Sequence, residues 1–309
     1  MNYAKKKYIN NFLKLIISLG LILFLLNQVD LADTIRLLQG ADLIFIIMAL
    51  VVLAAQVFIA TARWWLILKH QKVDMRYKDT LQILWAGLFF SQSMPSSIGG
   101  DIGRGYYLKS RGMTISRATL RVLLDRLFGM AGLVVLVLFS LMLFVQLVND
   151  PIARGGMFLI AGGGSFCILV LFFSDHLPGN FSHLRVIKGF YSLSKEGRSC
   201  ITNRHNGLTI LFYSILVHLF SIIAVILIVE GLGINLSWSG IMLIIPFITL
   251  LMVIPISIAG WGVREGGMIV GLGYLGVVPE EALVLSILYG FSTLLIALPG
   301  GIGWLIHRY

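Results

Sequence analysis

Long apolar stretches alternate with short polar segments along most of the chain. A bilayer core about 30 Å thick is crossed by roughly 20 apolar residues of helix, and six stretches approach or exceed that length. They are about Phe12–Leu26, Leu43–Leu68, Leu127–Val148, Gly156–Phe173, Leu208–Val229 and Ala282–Ile306. The first follows a run of lysines and lacks a small-residue cleavage site, so we expect an anchor rather than a signal peptide. The pattern predicts an all-α polytopic membrane protein with about six full transmembrane helices.

Two further apolar stretches are too short to cross the membrane. Leu81–Met94 stops at Pro95, and Gly240–Ile254 stops at Pro255. Proline ends a helix because it lacks an N–H group and its ring clashes with the preceding turn. A helix of this length extends only about 21 Å, which is less than the bilayer core. We therefore predict two helical hairpins that enter the membrane and turn back.

The sequence around the two breaks is repeated. Pro95-Ser-Ser-Ile-Gly-Gly-Asp-Ile-Gly-Arg104 aligns without gaps to Pro255-Ile-Ser-Ile-Ala-Gly-Trp-Gly-Val-Arg264, with five of ten positions identical. Irregular backbone at membrane depth must face protein or a water-filled cavity, and paired Pro/Gly breaks point to the binding site of a repeat-built transporter. We expect both motifs to converge on one polar cavity. The predicted hinge residues are Pro95, Gly99, Gly100, Pro255, Gly260 and Gly262.

Composition excludes a soluble enzyme. Only 12% of the 309 residues are charged and 58% are hydrophobic, and the mean hydropathy is +0.93. A soluble domain carries about a quarter charged residues. The net charge of +10 would suggest a nucleic-acid partner in a soluble protein, but here we expect no nucleic acid, because the basic residues follow the membrane topology.

Basic residues set the orientation, because they concentrate in cytoplasmic loops. With the N-terminus inside, most of the 24 Lys and Arg residues fall on the inner face, and Arg36 and Arg154 fall outside. We therefore predict an inner-membrane protein with both termini cytoplasmic. The first motif is predicted to be re-entrant, although its short polar return arm, Tyr106–Arg111, leaves a full span as the alternative. Hairpins entering from opposite faces make an inverted repeat.

The chain is predicted to form a single integral membrane domain, residues 1–309. Its repeat halves cover approximately residues 1–150 and 207–309. Between them, the segment 174–206 is the only long polar one. We interpret it as a solvated linker on the inner face, with contact of its basic residues with anionic headgroups as the alternative.

Ionisable residues at membrane depth are costly and mark candidate functional sites. We expect Arg104 and Arg264 to bind phosphate, since arginine offers several donors at once. The candidates for balancing charge or contacting an amine are Asp101 and Glu265, with Asp125 and Arg126 as secondary residues nearer the inner interface. The alternative is a set of structural ion pairs.

The pairing of these charges is less constrained by the sequence. Asp101 and Arg104, three residues apart, share a face if their segment is helical. Adjacent Arg264 and Glu265 point about 100° apart, so we expect each to find a partner elsewhere, and pairing across the repeats is one option. Arg63 is expected to extend to the interface beside Trp64 and Trp65. No metal site, cofactor site or catalytic constellation is visible, so we predict no enzyme activity.

The two motifs resemble a known family. Pro95–Arg104, followed by Asp125-Arg126, resembles the first signature of the flippase-like lysylphosphatidylglycerol synthase transmembrane-region family, and Pro255–Gly266 is similar to its second. The family includes the membrane half of the multiple peptide resistance factor, which moves aminoacylated phosphatidylglycerol between leaflets. Trp261 stands where the family commonly has a small or aliphatic residue. The synthase's soluble aminoacyl-transferase domain has no counterpart in this sequence, so lysine transfer is not carried over.

The resemblance implies lipid handling. We expect a flippase that moves an anionic or aminoacylated phospholipid, or a polyprenyl-phosphate-linked lipid, with the phosphate headgroup in the cavity. One alternative is a membrane subunit or enzyme of polyprenyl-linked sugar or envelope-lipid synthesis. Another is a non-transporting scaffold for such a complex. A homo-oligomer, or a complex with envelope-synthesis partners, is compatible with the sequence.

Overall fold

The computed structural model describes residues 31–93, 99–176, 185–254 and 260–307. The regular elements in these ranges are helices, apart from one 3-10 turn at Ser174–His176. We number the α-helices α1 (Leu31–Gln39), α2 (Leu43–His70), α3 (Tyr77–Ser93), α4 (Gly99–Ser110), α5 (Ile115–Leu147), α6 (Pro151–Phe173), α7 (Arg185–Thr202), α8 (Arg204–Leu232), α9 (Trp238–Met252), α10 (Val263–Gly273) and α11 (Pro279–His307). The predicted all-α architecture is confirmed.

Five of these helices, α2, α5, α6, α8 and α11, are long and apolar enough to cross a membrane. They correspond to five of the six predicted spans, and the sixth, Phe12–Leu26, lies outside the described residues. The largest difference is in α5, which begins at Ile115 rather than near Leu127. Its first turns carry the charged residues Arg117, Arg121, Asp125 and Arg126, so hydrophobicity alone does not detect them.

The outer surface of the helix bundle is apolar. Met142 of α5, and Leu159 and Phe166 of α6, expose 71%, 77% and 69% of their surface. Monomeric soluble proteins rarely expose contiguous apolar patches larger than a few hundred Å². Side chains of this kind on helices long enough to span the bilayer belong against lipid, so the chain is an integral membrane protein.

Helices α3 and α4 form the first hairpin. A Cβ atom on Gly100 would lie only 2.0 Å from the carbonyl oxygen of Gly87, so the two backbones are in direct contact. At the open end of the hairpin, Leu108 packs in one cluster with Trp64 and Leu68, near the end of α2. The chain thus returns to the end of the bundle that it left, and the alternative of a full span is wrong. The return arm is the whole of α4, longer than the predicted Tyr106–Arg111.

Helices α9 and α10 form the second hairpin. A Cβ atom on Gly271 would lie 2.8 Å from Ile244, and one on Gly267 would lie 3.2 Å from Ile248. Its open end lies at the opposite end of the bundle from that of the first hairpin, because α8 has crossed between them. The order long helix, hairpin, long helix occurs in residues 43–147 and again, inverted, in residues 204–307. Helices α6 and α7 connect the two units.

The two ends of the bundle differ in charge. The end at which α2 and α4 finish, which we call the basic end, carries Lys69, Lys72, Arg76, Lys78, Lys109, Arg111, Arg117, Lys188 and Lys195. The other end, which we call the acidic end, carries Asp42, Asp150, Glu230, Glu280 and Glu281, with Arg36 and Arg154. This asymmetry agrees with the predicted grouping of basic residues on one face.

Helix α7 occupies most of the segment predicted to be a solvated linker. Leu193 and Cys200 are buried in a cluster with residues of α2, α5 and α8. The Ser194 hydroxyl donates to the carbonyl oxygen of Phe172 at 2.6 Å, and Arg198 pairs with Asp175. The interpretation as a solvated linker is wrong for residues 185–202, because one face of this amphipathic helix packs on the transmembrane helices.

Cys200 provides a test of this docking. Burial raises the pKa of its thiol to about 11, so almost no thiolate forms below pH 9, and we expect a hydrophilic maleimide to label it very slowly at pH 8. The rate should rise steeply with pH towards 11. In a Cys167→Ser background, labelling is compared with a Cys200→Ser/Ser199→Cys variant, because Ser199 is exposed on the same helix. Equal rates for the two proteins would contradict a packed α7.

Candidate functional site

Asp125 is the centre of a buried ion-pair cluster formed by α2, α4 and α5. Its Oδ1 accepts from Arg63 Nε at 2.9 Å, and its Oδ2 accepts from Arg104 Nη2 at 2.7 Å. The three side chains expose only 4%, 9% and 9% of their surface. Both oxygens of one carboxylate therefore hold arginines from two different helices.

Asp101 extends the cluster towards the surface. It lies 3.6 Å from Arg104 Nη1 (measured from Oδ1), and its Oδ2 accepts from Arg126 Nε. The shared face of Asp101 and Arg104 is therefore confirmed. Arg126 is the most accessible member, with 40% of its side chain exposed. The cluster holds three arginines and two aspartates, so its formal charge is +1.

Small residues and a tryptophan position Arg104. A Cβ atom on Gly87 would lie 3.1 Å from the aliphatic part of the Arg104 side chain, so α3 packs tightly against this side chain. On another side, the guanidinium carbon lies 3.9 Å from the centre of the Trp64 ring, a distance suited to a cation–π contact. Arg104 Nε has no hydrogen-bond partner among the described residues. The guanidinium is thus held rigidly with a donor to spare.

The cluster lines a cavity of about 310 Å³, which we call the arginine cavity. Besides the five charged residues, its lining includes Gln56, Ser91, Gly100, Val57, Ala60, Leu84, Gly87, Leu88 and Val217. Arg63 lies seven residues before the end of α2, and Arg104 six residues before the end of α4, so the cluster is about 10 Å from the basic end. An excess positive charge therefore faces a cavity that lies close to the basic end of the bundle.

A second cavity joins the arginine cavity along the outside of α4 and α5. It has a volume of about 370 Å³ and shares Asp101 with the first. Its walls are mainly apolar, with Ile102, Tyr106 and Ile115 each more than 60% exposed. We call it the apolar groove. A polar cavity and an apolar groove thus meet at one carboxylate.

The second motif forms a separate and more closed cluster. Arg264 Nη2 donates to Glu265 Oε1 at 2.6 Å, and Arg264 Nε also contacts Ser286 Oγ at 3.1 Å. The arginine and glutamate residues are 3% and 2% exposed. A Cβ atom on Gly290 would lie 2.1 Å from Arg264 Nη2, so α11 passes directly over the guanidinium. This cluster is electrically neutral and sealed by its neighbours.

Two glycines shape the turn before α10. Gly260 and Gly262 have φ values of +84° and +87°, a region that residues with a Cβ rarely adopt. The turn lets Glu265 accept from the backbone N–H of Gly262, which satisfies a free donor at the helix start. Irregular backbone is therefore confirmed here. Gly99 and Gly100 instead begin a regular helix, and Pro95 and Pro255 lie outside the described residues.

The expectation that Arg264 and Glu265 each find a partner elsewhere is wrong, and the option of pairing across the repeats is not the arrangement that the structure shows. Arg104 pairs with Asp125 and Asp101, and Arg264 pairs with its neighbour Glu265. Adjacent residues meet because Glu265 turns back towards the start of α10 and the long arginine side chain follows it. The motifs form two clusters rather than one shared chamber. Each arginine nevertheless lies on a tryptophan ring, Trp64 in the first cluster and Trp261 in the second.

Polar side chains connect the two clusters. Gln56, in the lining of the arginine cavity, donates to Val217 O at 2.6 Å and contacts Ser221 Oγ at 2.5 Å. Tyr289 of α11 lies close enough to both Ser221 and Arg264 to interact with them. The polar contacts therefore run from α2 through α8 to α11.

The sequence interpretation missed the role of Arg63. The structure buries it beside Asp125 instead of placing it at the interface, and Trp64 is fully buried as well. The usable signal was the spacing of Gln56 and Arg63, seven residues apart on one face of an otherwise apolar helix. That face is the one that meets α5 and α8.

Comparisons with known proteins agree with these features. A family model described as "Lysylphosphatidylglycerol synthase TM region" matches residues 11–301. A UPF0104 membrane protein of Methanothermobacter thermautotrophicus is 25% identical over 304 residues, covering 88% of this chain and 87% of the relative. A UPF0104 membrane protein of Pyrococcus horikoshii is 26% identical over 132 residues, covering 42% of this chain and 39% of that relative.

Proposed function

Because this chain belongs to the lysylphosphatidylglycerol synthase TM region family, we propose that it moves a phosphate-bearing lipid between the leaflets of the membrane. The lipid class is an anionic or aminoacylated phospholipid, or a polyprenyl-phosphate-linked lipid. The observation that carries the proposal is the arginine cavity, which has a net positive charge and opens beside an apolar groove.

The two cavities match the two parts of such a lipid. Arginine binds phosphate through several charge-assisted hydrogen bonds, and Arg104 and Arg126 line the polar side. Ile102, Tyr106 and Leu123 line the apolar side. A hydrocarbon tail in this groove would contact both the protein and the surrounding bilayer. Asp101, at the junction, would contact the amine of an aminoacylated headgroup. In this scheme Arg264 and Glu265 hold the second hairpin in place.

The orientation is part of the same proposal. The basic end faces the cytoplasm, since basic residues favour that side, and the membrane is the inner one. The arginine cavity then lies near the cytoplasmic leaflet and receives the headgroup from there. Helix α11 packs on both hairpins. In this proposal it transmits the binding of the headgroup in the first half of the chain to the second half.

The test is lipid movement in liposomes. Phosphatidylglycerol with a fluorescent acyl chain is added to one leaflet, and a membrane-impermeant reductant measures how much stays accessible. We expect Arg104→Gln to slow movement by about tenfold or more, because a hydrogen bond to a charged group contributes about 1.5–3 kcal/mol. Lys78→Gln removes an exposed charge from α3, the other arm of the same hairpin, and should leave the rate unchanged.

A second variant separates binding from folding. Arg126 is much more accessible than Arg104, so Arg126→Gln should keep the thermal stability of the wild type and still slow lipid movement several-fold. Phosphatidylcholine carrying the same label reports whether anionic headgroups are preferred. Wild-type rates in well-folded Arg104→Gln and Arg126→Gln proteins would contradict the proposed site.

A further inference from the structure

Helices α5 and α7 enclose a groove of about 810 Å³ at the basic end, outside the clusters described above. Its charged lining residues are Arg117, Arg121, Lys188, Lys195 and Glu196, a net charge of +3. Ser116, Thr119 and Ser192 add hydroxyl groups, and Leu120 and Leu123 add apolar surface. We call it the basic groove.

Arg121 is the unusual residue of the basic groove. It is 9% exposed, and its Nε and Nη1 atoms have no hydrogen-bond partner within the part of the chain that the structure describes. The nearest carboxylate oxygen, Glu196 Oε1, lies 3.9 Å from Nη1, beyond hydrogen-bonding distance. Buried donors without partners are unfavourable, so these two atoms, which lack an acceptor among the described residues, would be stabilised by an acceptor from a ligand.

The walls of the groove are fixed in position. A Cβ atom on Gly197 would lie 3.1 Å from Leu127 of α5 and 3.2 Å from Phe172 of α6, so α7 is packed closely. On α7, Lys188, Ser192 and Lys195 follow helical spacing and lie on one face. The opening between the helices is therefore a built feature rather than a loose loop.

The basic groove also connects to the proposed lipid site. It shares Thr119 and Leu123 with the apolar groove, which in turn shares Asp101 with the arginine cavity. Together the three cavities follow one side of α5 from its first turn to Asp125. The basic groove is thus the neighbour of the apolar groove, which in turn is the neighbour of the arginine cavity.

We propose that the basic groove binds the phosphate of an anionic membrane lipid and delivers that lipid to the arginine cavity. The unpartnered donors of Arg121 and the net positive charge of the groove carry this assignment. A lipid source fits better than free phosphate, because Leu120 and Leu123 place apolar surface beside the charged one. The delivery step rests on the proposed function, whereas binding does not.

The test measures lipid retained by the full chain after purification from an equal mixture of phosphatidylglycerol and phosphatidylcholine. Native mass spectrometry compares wild type with Arg117→Gln/Lys188→Gln/Lys195→Gln. Its matched control, Lys72→Gln/Arg76→Gln/Lys78→Gln, removes the same charge from exposed positions at the same end. We expect the groove variant to lose phosphatidylglycerol enrichment by about tenfold and the control to lose less than about twofold.

Arg121→Met gives an independent readout. Without phosphatidylglycerol it should be at least as thermally stable as wild type, because it removes unpartnered buried donors. Adding phosphatidylglycerol should raise the melting temperature of wild type but not that of the variant. A merely structural Arg121 would instead make the variant less stable under both conditions.

Several results would overturn the inference. Equal losses in the two triple variants would mean diffuse attraction by charge, and displacement of the lipid by excess inorganic phosphate would mean a site for the free ion. Unchanged enrichment in the groove variant would refute binding. Arg104→Gln should keep the enrichment while slowing movement, so the two proposals fail in different experiments.

Discussion

Replacing Asp125 with asparagine is expected to destabilise the protein by about 3–5 kcal/mol, as found when one partner of a buried ion pair is removed. The neutral side chain would leave the guanidiniums of Arg63 and Arg104 facing one another with little solvent to screen them. Unfolding in detergent, followed by tryptophan fluorescence, measures the loss. Lipid movement should stop as well, because Arg104 loses the contact that orients it.

The control is Asp101→Asn, which removes a carboxylate from the same cluster. Its main partner, Arg126, reaches solvent, so we expect a loss of less than about 1 kcal/mol. In a double-mutant cycle, Arg63→Met combined with Asp125→Asn should destabilise by less than the sum of the single changes. Strict additivity, or an Asp125→Asn protein as stable as wild type, would show that Asp125 does not hold the two arginines.

The elements of the fold were predictable because each has a local cause. A span such as α8 is an apolar stretch whose length matches the bilayer, and that match is visible in sequence. The hairpins were predicted from Pro95 and Pro255, each of which follows a short apolar stretch, and from the distribution of the basic residues along the sequence. The start of α5 was not predictable in the same way, since Asp125 and Arg126 of its first turns find their partners on other helices.

The sequence indicated which charged residues belong to the site more readily than it indicated which of them pair with one another. Helical spacing gave the shared face of Asp101 and Arg104, because that is a property of one helix. The pair of Arg63 and Asp125 joins residues 62 positions apart. The residue pattern within one helix does not indicate which other helix packs against its polar face. The repeat itself was misleading, because it suggested two equivalent arginines. The structure makes Arg104 part of a charged cavity and Arg264 part of a neutral, sealed contact.

Replacing Gly100 with alanine is expected to force the first hairpin apart. The added methyl group would lie 2.0 Å from the carbonyl oxygen of Gly87 and 2.3 Å from Ser91 Oγ. A backbone oxygen cannot move aside as the end of a side chain can, so α4 must shift away from α3. Overpacking of this kind destabilises by about 1–3 kcal/mol or more. Arg104 lies one turn further along α4 and would move with it.

Gly105→Ala is the matched control for this change. Gly105 lies on the same helix, and a Cβ atom there meets nothing within 4 Å, so alanine should stabilise by up to about 1 kcal/mol through helix propensity. Thermal unfolding and lipid movement are measured for both variants. Gly100→Ala should lower both, whereas Gly105→Ala, which lies in the wall of the apolar groove, is the control for stability alone. A Gly100→Ala protein with wild-type stability would contradict the close contact of α3 and α4, and with it the rigid placement of Arg104 on which the proposed binding of a headgroup depends.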